Sequence, residues 1–209
     1  MKHLTFWFDP VSPFAHLAFE RLPQQLEGVS YSVAYRPVQL NVVLAHWAQT
    51  GPVEVEPERA WSWRHAQWLA HQHGIELVAP APHPFDSEAL SRLLLACASP
   101  ATGTPNRRVC ETVLHHVWHG GADANDAQRL AALTLALAPR TDPADAKVQQ
   151  ALQDATAQAI ALGVFGVPTI EVDDRLFCGF EALPMLSAYL RGDAWFDRSG
   201  WDVGDAEVQ

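Results

Sequence analysis

The sequence predicts an α/β fold in which both ends of the chain build one small sheet and a helical block lies between them. Short β-branched and aromatic runs occur near the two ends, and apolar residues at helical spacing fill the middle. The chain has 209 residues, of which 48% are hydrophobic and 18% charged. This size and composition fit one domain of ordinary size that carries an insertion.

The amino-terminal segment predicts a βαβ unit. Residues Leu4–Phe8 have the composition of a buried strand, which an Asp-Pro pair ends. Ser12 in the N-cap position and Pro13 in the first turn then predict a helix that begins at Pro13. Beyond a glycine, Val29–Arg36 alternates in the manner of a second strand.

The middle of the chain predicts helices only, separated by stretches rich in proline and glycine. The predicted helices are Val42–Gln49, Glu58–His73, Asp86–Ala98, Asn106–His119, Asp126–Leu137 and Asp142–Leu162.

The carboxy-terminal segment returns to β structure. Residues Gly163–Val172 form a turn followed by a β run, and Asp173-Asp174 suits the turn of a hairpin. Arg175–Cys178 can pair back as the next strand, and Leu183–Leu190 predicts a final helix. The order ββα therefore completes the sheet that the amino-terminal segment begins.

Charge and composition exclude several classes of function. With 24 acidic and 14 basic residues, the net charge of −10 opposes binding to nucleic acids and to anionic membranes. The apolar runs are too short for a transmembrane helix, and the first residues lack a secretory signal. Three widely spaced cysteines suit free thiols, so we expect a cytoplasmic protein.

Ser12 is the first candidate functional residue. Its hydroxyl lies where a strand enters a helix, beside unpaired amide N–H groups and the positive end of the helix dipole. A thiolate bound there would be stabilised and its thiol pKa lowered. The alternative is that Ser12 is only an N-cap.

Val167-Pro168 is the second candidate. A cis proline before the β run beginning at Thr169 would leave the Val167 main chain open to pair with an extended peptide. The alternative is an ordinary trans proline at the start of a strand.

These motifs resemble a known family. Residues Phe6–Ala18 together with Gly163–Thr169 are similar to the 2-hydroxychromene-2-carboxylate isomerase family, relatives of kappa-class glutathione transferases and of DsbA-type proteins. Tyr35-Arg36-Pro37, Pro84–Ser87 and Val117-Trp118 add to the resemblance, which covers about residues 3 to 191.

The resemblance implies a thioredoxin-like fold with an inserted all-helical domain. The thioredoxin-like domain would be discontinuous, 1–39 and 163–192, with the helical insertion at 40–162 and an acidic, loosely packed tail at 193–209. The family also implies a bound glutathione and the possibility of a homodimer.

The resemblance further implies the residues that hold glutathione. Ser12 would hold the thiolate, Val167 and Pro168 would pair with the cysteinyl part, and the loop Cys178, Gly179, Phe180 and Glu181 would receive the γ-glutamyl end. Because Ser12 and Ala15 occupy both positions of the C-x-x-C motif found in related oxidoreductases, the thiol would come from the ligand.

Two stretches depart from the family pattern. The last loop has Cys178-Gly179-Phe180-Glu181-Ala182 where the family commonly has Trp-Gly-x-Asp-Arg. The stretch Asn41–Leu44 lacks the lysine that helps to hold the substrate carboxylate in the naphthalene-pathway isomerase. Arg36 or Arg64 could supply positive charge instead, although each is rather expected to be a surface or packing residue.

The implied function is a glutathione-dependent cis–trans isomerase in aromatic degradation, acting on an aromatic or hydrophobic carbonyl compound. The thiolate would add reversibly to a conjugated carbon and leave after rotation. The alternatives are a kappa-like glutathione transferase and a non-catalytic module that binds a thiol or peptide.

The histidines and tryptophans carry weaker signals. His115 and His119 lie four residues apart, as two ligands of a metal on one helix face would, but no third ligand in helical register is evident. We therefore predict no metal site. Trp61, Trp63 and Trp68 could line an aromatic pocket, although most of them are expected in the core.

Overall fold

The computed structural model describes residues 1–51 and 54–197. Within these residues it contains four strands, eight α-helices and two short 3₁₀ turns. The strands are β1 (Lys2–Phe8), β2 (Tyr31–Pro37), β3 (Thr169–Val172) and β4 (Arg175–Cys178). The helices are α1 (Pro13–Gln25), α2 (Leu40–His46), α3 (Glu56–His73), α4 (Glu88–Ala96), α5 (Arg107–Trp118), α6 (Ala127–Leu137), α7 (Ala146–Ala161) and α8 (Leu183–Leu190).

The strands form one mixed sheet in the order β2-β1-β3-β4. β1 pairs in parallel with β2 and antiparallel with β3, and β3 pairs antiparallel with β4. Asp173 and Asp174 have φ values of 49° and 60° at the tight turn between the last two strands. The predicted α/β class, the βαβ unit and the ββ hairpin are confirmed.

Alternation along β1 divides the core between the two faces of the sheet. Phe6 and Phe8 point into the larger core, where the Phe6 ring meets that of Phe19 of α1 edge-on. Trp7 points to the opposite face and packs with Val38 and with Ala159 of α7. The sheet is therefore covered on both faces, so we expect a ligand site at the ends of the strands rather than on a face.

All six helices of the middle differ from their predicted bounds by one to four residues at one end or both, and α2 and α7 show why. α2 begins at Leu40 and ends at His46 rather than spanning Val42–Gln49, because the Leu40 N–H bonds the Asp9 carboxylate and Ala48 takes a positive φ of 52°. α4 covers Glu88–Ala96 within the predicted Asp86–Ala98. α7 begins only at Ala146, because Asp145 is its N-cap and accepts from the Lys147 N–H.

The helical block meets the sheet through α7 and α4, which both contact β2. α7 contacts β2 and α4, and Thr156 Oγ1 accepts a hydrogen bond of 3.1 Å from the Gln39 N–H. The division of the chain into a discontinuous unit and an insertion at 40–162 stays a prediction. By its contacts, α7 belongs to the layer that covers the sheet.

The predicted tail at 193–209 is described only as far as residue 197. In this part Phe196 is buried, at 6% exposed, and packs on Phe177 and Tyr189, whereas Asp193, Ala194, Trp195 and Asp197 are exposed. The rest of the predicted tail lies outside the described residues. None of the described helices is both long enough and apolar enough for a membrane span.

Candidate functional site

The loop from β1 to α1 places Ser12 at the first turn of the helix. Ser12 has extended backbone, and its Oγ accepts a hydrogen bond of 3.2 Å from the Ala15 N–H. Pro13 has no N–H, and within the described chain no acceptor bonds the N–H of Phe14. The predicted N-cap is confirmed, and it leaves the Phe14 amide without an acceptor among the described residues.

The second candidate loop lies against this helix terminus. The Val167–Pro168 peptide is cis, as the sequence analysis proposed. Ser12 Oγ donates to the Val167 carbonyl oxygen over 3.4 Å, across a sequence separation of 155 residues. A bond this long is weak, so the hydroxyl hydrogen is available to a stronger acceptor. For the part of the chain that is described, the Val167 N–H also has no acceptor.

Asp9 is a site residue that the sequence analysis missed. Its carboxylate, 2% exposed, accepts from the N–H groups of Val11 at 3.0 Å and Leu40 at 2.9 Å. Burial raises the pKa of Asp9, and these amide donors with the Ser87 hydroxyl oppose that rise. The carboxylate ties the loop before Ser12 to the start of α2. The only sequence signal was an acidic residue at the end of a buried strand.

Ser12 and Val167 open onto a cavity of about 1190 Å³ between the sheet end and the helical block. Although Ser12 is only 6% exposed, its side chain contributes to the wall. The opposite walls come from α2, the first turns of α3 and the proline-rich segment 79–84. Phe14, Trp63, His83, Phe85 and Phe165 give these walls an aromatic character. A cavity of this size accommodates small organic ligands.

The proline-rich segment 79–84 is fixed against the loop that carries Ser12. Ala81–Pro82 and His83–Pro84 are cis peptides, and His83 Nε2 lies 3.1 Å from the Val11 carbonyl oxygen. Beneath them, the Trp118 indole donates to the Pro10 carbonyl at 3.1 Å. These contacts position the loop before Ser12 from two sides.

Arg59 supplies the positive charge of the cavity. Among the described residues it is the only arginine or lysine in the cavity wall, and no carboxylate in that part of the chain lies within ion-pair distance of it. Arg36 instead packs over the Trp7 ring and bonds Gln158, and Arg64 is exposed on α3. Arg36 is therefore a packing residue and Arg64 a surface residue, as the sequence favoured, and neither lines the cavity. The helical spacing in the sequence does not show which of the two arginines of α3, Arg59 or Arg64, faces the cavity.

The loop Cys178–Glu181 lies beside the cavity and outside its wall. The Gly179 N–H bonds the Pro168 carbonyl at 2.8 Å, which joins this loop to the cis-proline turn. Gly179 has a φ of 90°, and a Cβ there would lie 3.0 Å from Glu181 Oε2. The Glu181 carboxylate is exposed and lies 3.7 Å from His65 Nε2. The Phe180 side chain is in the core, so only its main chain faces the loop.

The cysteines provide no activated thiol in this site. Burial raises the pKa values of Cys97, Cys110 and Cys178, and Cys97 and Cys110 lie in the core. A thiol with a raised pKa is a poor nucleophile at neutral pH. Ser12 and Ala15 also leave the α1 terminus without sulfur, so a sulfur nucleophile at this site has to arrive with a ligand.

Two of the three predicted aromatic candidates lie elsewhere. Trp61 is 64% exposed and Trp68 is 56% exposed, so neither belongs to the core or to the cavity wall. Trp63 alone of the three lines the cavity. Both exposed rings lie on the outer face of α3, where Trp61 stacks on His65.

A small mixed sheet with a Ser-capped helix after its first strand and a cis proline before its third defines a thioredoxin-fold protein without the redox cysteine pair. The model of the DSBA-like thioredoxin domain matches residues 3–191, and the chain belongs to that family. The resemblance noted in the sequence is thereby confirmed.

Similar proteins include an isomerase and a reductase. The chain is 27% identical over 197 residues to the 2-hydroxychromene-2-carboxylate isomerase of Sphingobium xenophagum, covering 90% of this chain and 98% of that protein. A solved 2-hydroxychromene-2-carboxylate isomerase superposes with a TM-score of 0.78 at 22% identity, covering 96% of this chain and 98% of the other. The cytosolic disulfide reductase DsbM of Pseudomonas aeruginosa gives 0.58 at 17% identity, covering 90% and 99%. These two structures establish the fold.

Proposed function

We propose that this protein is a glutathione-dependent cis–trans isomerase that acts on an aromatic or hydrophobic carbonyl compound. The observation that carries the proposal is the contact of Ser12 Oγ with the Val167 carbonyl, 3.4 Å away, at the wall of a cavity of about 1190 Å³. The Sphingobium xenophagum relative, 27% identical over 90% of the chain, is an isomerase. A more distant neighbour was solved with GSH.

The residues present fit glutathione as a cofactor. Three hydrogen-bond donors belong to the two loops that meet at the Ser12–Val167 contact, namely the Ser12 hydroxyl and the N–H groups of Phe14 and Val167, and they could bind the sulfur and cysteinyl main chain. Glu181, exposed next to the loop that bonds Pro168, suits the γ-glutamyl ammonium. Each of these groups lacks a strong partner of its own, which is the state expected of a site built for a ligand.

The chain supplies orientation and charge stabilisation, and the cofactor supplies the nucleophile. A bound thiolate provides reversible addition to a conjugated carbon, which permits rotation about the former double bond without net redox change. With glutathione bound, Ser12 would donate to the sulfur and the terminus of α1 would add its dipole, so both would lower the thiol pKa. The aromatic walls would hold an aromatic substrate in the same cavity.

The test of the proposal is an assay of 2-hydroxychromene-2-carboxylate conversion with and without glutathione. We expect enzyme-dependent conversion only when glutathione is present. Calorimetric titration with glutathione should show one site per chain. Conversion at the same rate without glutathione, or titration with no heat, would contradict the proposal.

The same assay separates the proposed reaction from the two alternatives. A kappa-like transferase would accumulate a stable glutathione conjugate, whereas an isomerase returns glutathione unchanged. A non-catalytic module would bind thiol or peptide without turnover.

Arg59 is expected to hold the carboxylate of such a substrate. In Arg59→Gln, the loss of a charge-assisted hydrogen bond should raise KM about tenfold, with a smaller effect on kcat. The matched control is Arg64→Gln, which removes an exposed arginine of the same helix that lies outside the cavity wall. Steady-state kinetics decide the matter, and equal KM values for the two variants would refute the role of Arg59.

A further inference from the structure

A second group of chemically active side chains lies outside the cavity, at the junction of α1 and α5. Glu20 of α1 and Glu111 and His115 of α5 each present a donor atom, and these atoms lie within 4.8 Å of one another. All three residues are partly buried, and none lines the cavity. Glu111 precedes His115 by one helical turn, and Glu20 joins them from the neighbouring helix.

The charges of this group are not balanced by the protein. His115 Nε2 lies 3.0 Å from Glu20 Oε1, and the Glu111 carboxylate is adjacent. Within the described residues, no lysine or arginine lies within 4.0 Å of the carboxylate of Glu20 or Glu111. Two carboxylates this close repel each other, and a bound cation would offset that repulsion.

The donor set specifies the kind of cation. One imidazole nitrogen and two carboxylates suit Zn²⁺ and related first-row divalent ions, whereas Ca²⁺ and Mg²⁺ prefer oxygen ligands alone. The side chains of Glu20 and His115 are 23% and 38% exposed, so water can reach a fourth coordination position.

Further histidines surround these three residues. The His119 ring stacks on His115 with centroids 4.0 Å apart. His16, buried one turn before Glu20, has its ring 6.1 Å from that of His115, and its Nδ1 has no hydrogen-bond partner. The junction therefore offers additional nitrogen donors near the three ligands.

We propose that Glu20, Glu111 and His115 bind one divalent transition-metal ion, with Zn²⁺ the best fit, and that the ion joins α1 to α5. The sequence pattern indicates only the His115–His119 pair, because Glu20 is distant along the chain and Glu111 carries no signal of its own. The rings of His16, Trp118 and His83 separate the site from the cavity. Its expected role is to stabilise the packing of these helices.

The experiment uses full-length protein without a histidine tag, freed of metal by a chelator. Titration with Zn²⁺ should show one site per chain. At a free Zn²⁺ concentration of 100 times Kd, the melting temperature should rise roughly 5–10 °C, since the ion binds only the folded state. Circular dichroism of each variant checks that it folds.

Two ligand variants and one control make the test specific. Glu111→Gln keeps the shape of the side chain and His115→Asn removes the imidazole, and each should weaken Zn²⁺ binding at least tenfold. His71→Ala removes an exposed histidine of α3 and should leave the affinity unchanged. The proposal is overturned if no single-site binding occurs, or if both ligand variants bind Zn²⁺ as the unaltered protein does.

Discussion

Ser12→Ala is expected to lower kcat/KM for glutathione-dependent isomerisation roughly 100-fold, which corresponds to about 3 kcal/mol of transition-state stabilisation. The hydroxyl lies at the α1 terminus, and its present bond to the Val167 carbonyl is long, at 3.4 Å. When it is lost, the sulfur of bound glutathione keeps only the main-chain donors and the helix dipole.

The pH dependence distinguishes this role from capping alone. A donor to the thiolate lowers the thiol pKa, so its removal raises that pKa. In Ser12→Ala, the acid limb of the kcat/KM profile should therefore move to higher pH. The ultraviolet absorbance of the bound thiolate, titrated in the two proteins, provides the same information without turnover.

Asn106→Ala is the matched control. Asn106 caps α5 by the same geometry, accepting from the Val109 N–H three residues on at 3.0 Å, and it does not line the cavity. Loss of either cap should cost about 1 kcal/mol of stability. If both variants lose activity equally, Ser12 has only a capping role.

Asp9→Ala is expected to lower the free energy of unfolding by about 2–4 kcal/mol, because two amide donors then lose their acceptor in a dry environment. These donors are the N–H groups of Val11 and Leu40, on either side of the cavity. Urea unfolding measures the loss. Asp142→Ala is the control, since that carboxylate accepts from Ala144 at an exposed turn where water can replace it.

The stability contributed by Asp9 also depends on pH. Burial raises its folded-state pKa above the unfolded value of about 3.9. The folded state therefore binds the proton more tightly, and this contribution is complete below that value and declines as pH rises through the folded-state pKa. Asp9→Asn cannot ionise, so the difference between the two stability profiles should follow this course. A difference that is constant with pH would contradict the assignment.

Local patterns predicted most of the fold. Three elements are determined by the residues within them: the alternation in β1, the Ser-Pro start of α1 and the Asp-Asp turn of the hairpin. The structure therefore has them as the sequence predicts. α2 was misplaced because a tertiary bond from Leu40 to Asp9 sets its start.

The site was less accessible from sequence. Ser12 and Val167 carry local signals, namely an N-cap and a proline before a strand. Arg59 and Asp9 carry no local signal. The role of Arg59 depends on which side of α3 faces the cavity, and that of Asp9 depends on accepting hydrogen bonds from two distant segments. The Glu20 pairing with α5 is equally non-local.

The position of β3 has a consequence for synthesis of the chain. β1 is an inner strand of the sheet, yet its neighbour on one edge is β3, which begins at Thr169. A nascent chain that has not reached this residue exposes one edge of β1 with unpaired amides, a surface prone to association with other chains. Most of the polypeptide must therefore be synthesised before Ser12, at the start of α1, can meet Val167 and complete the site.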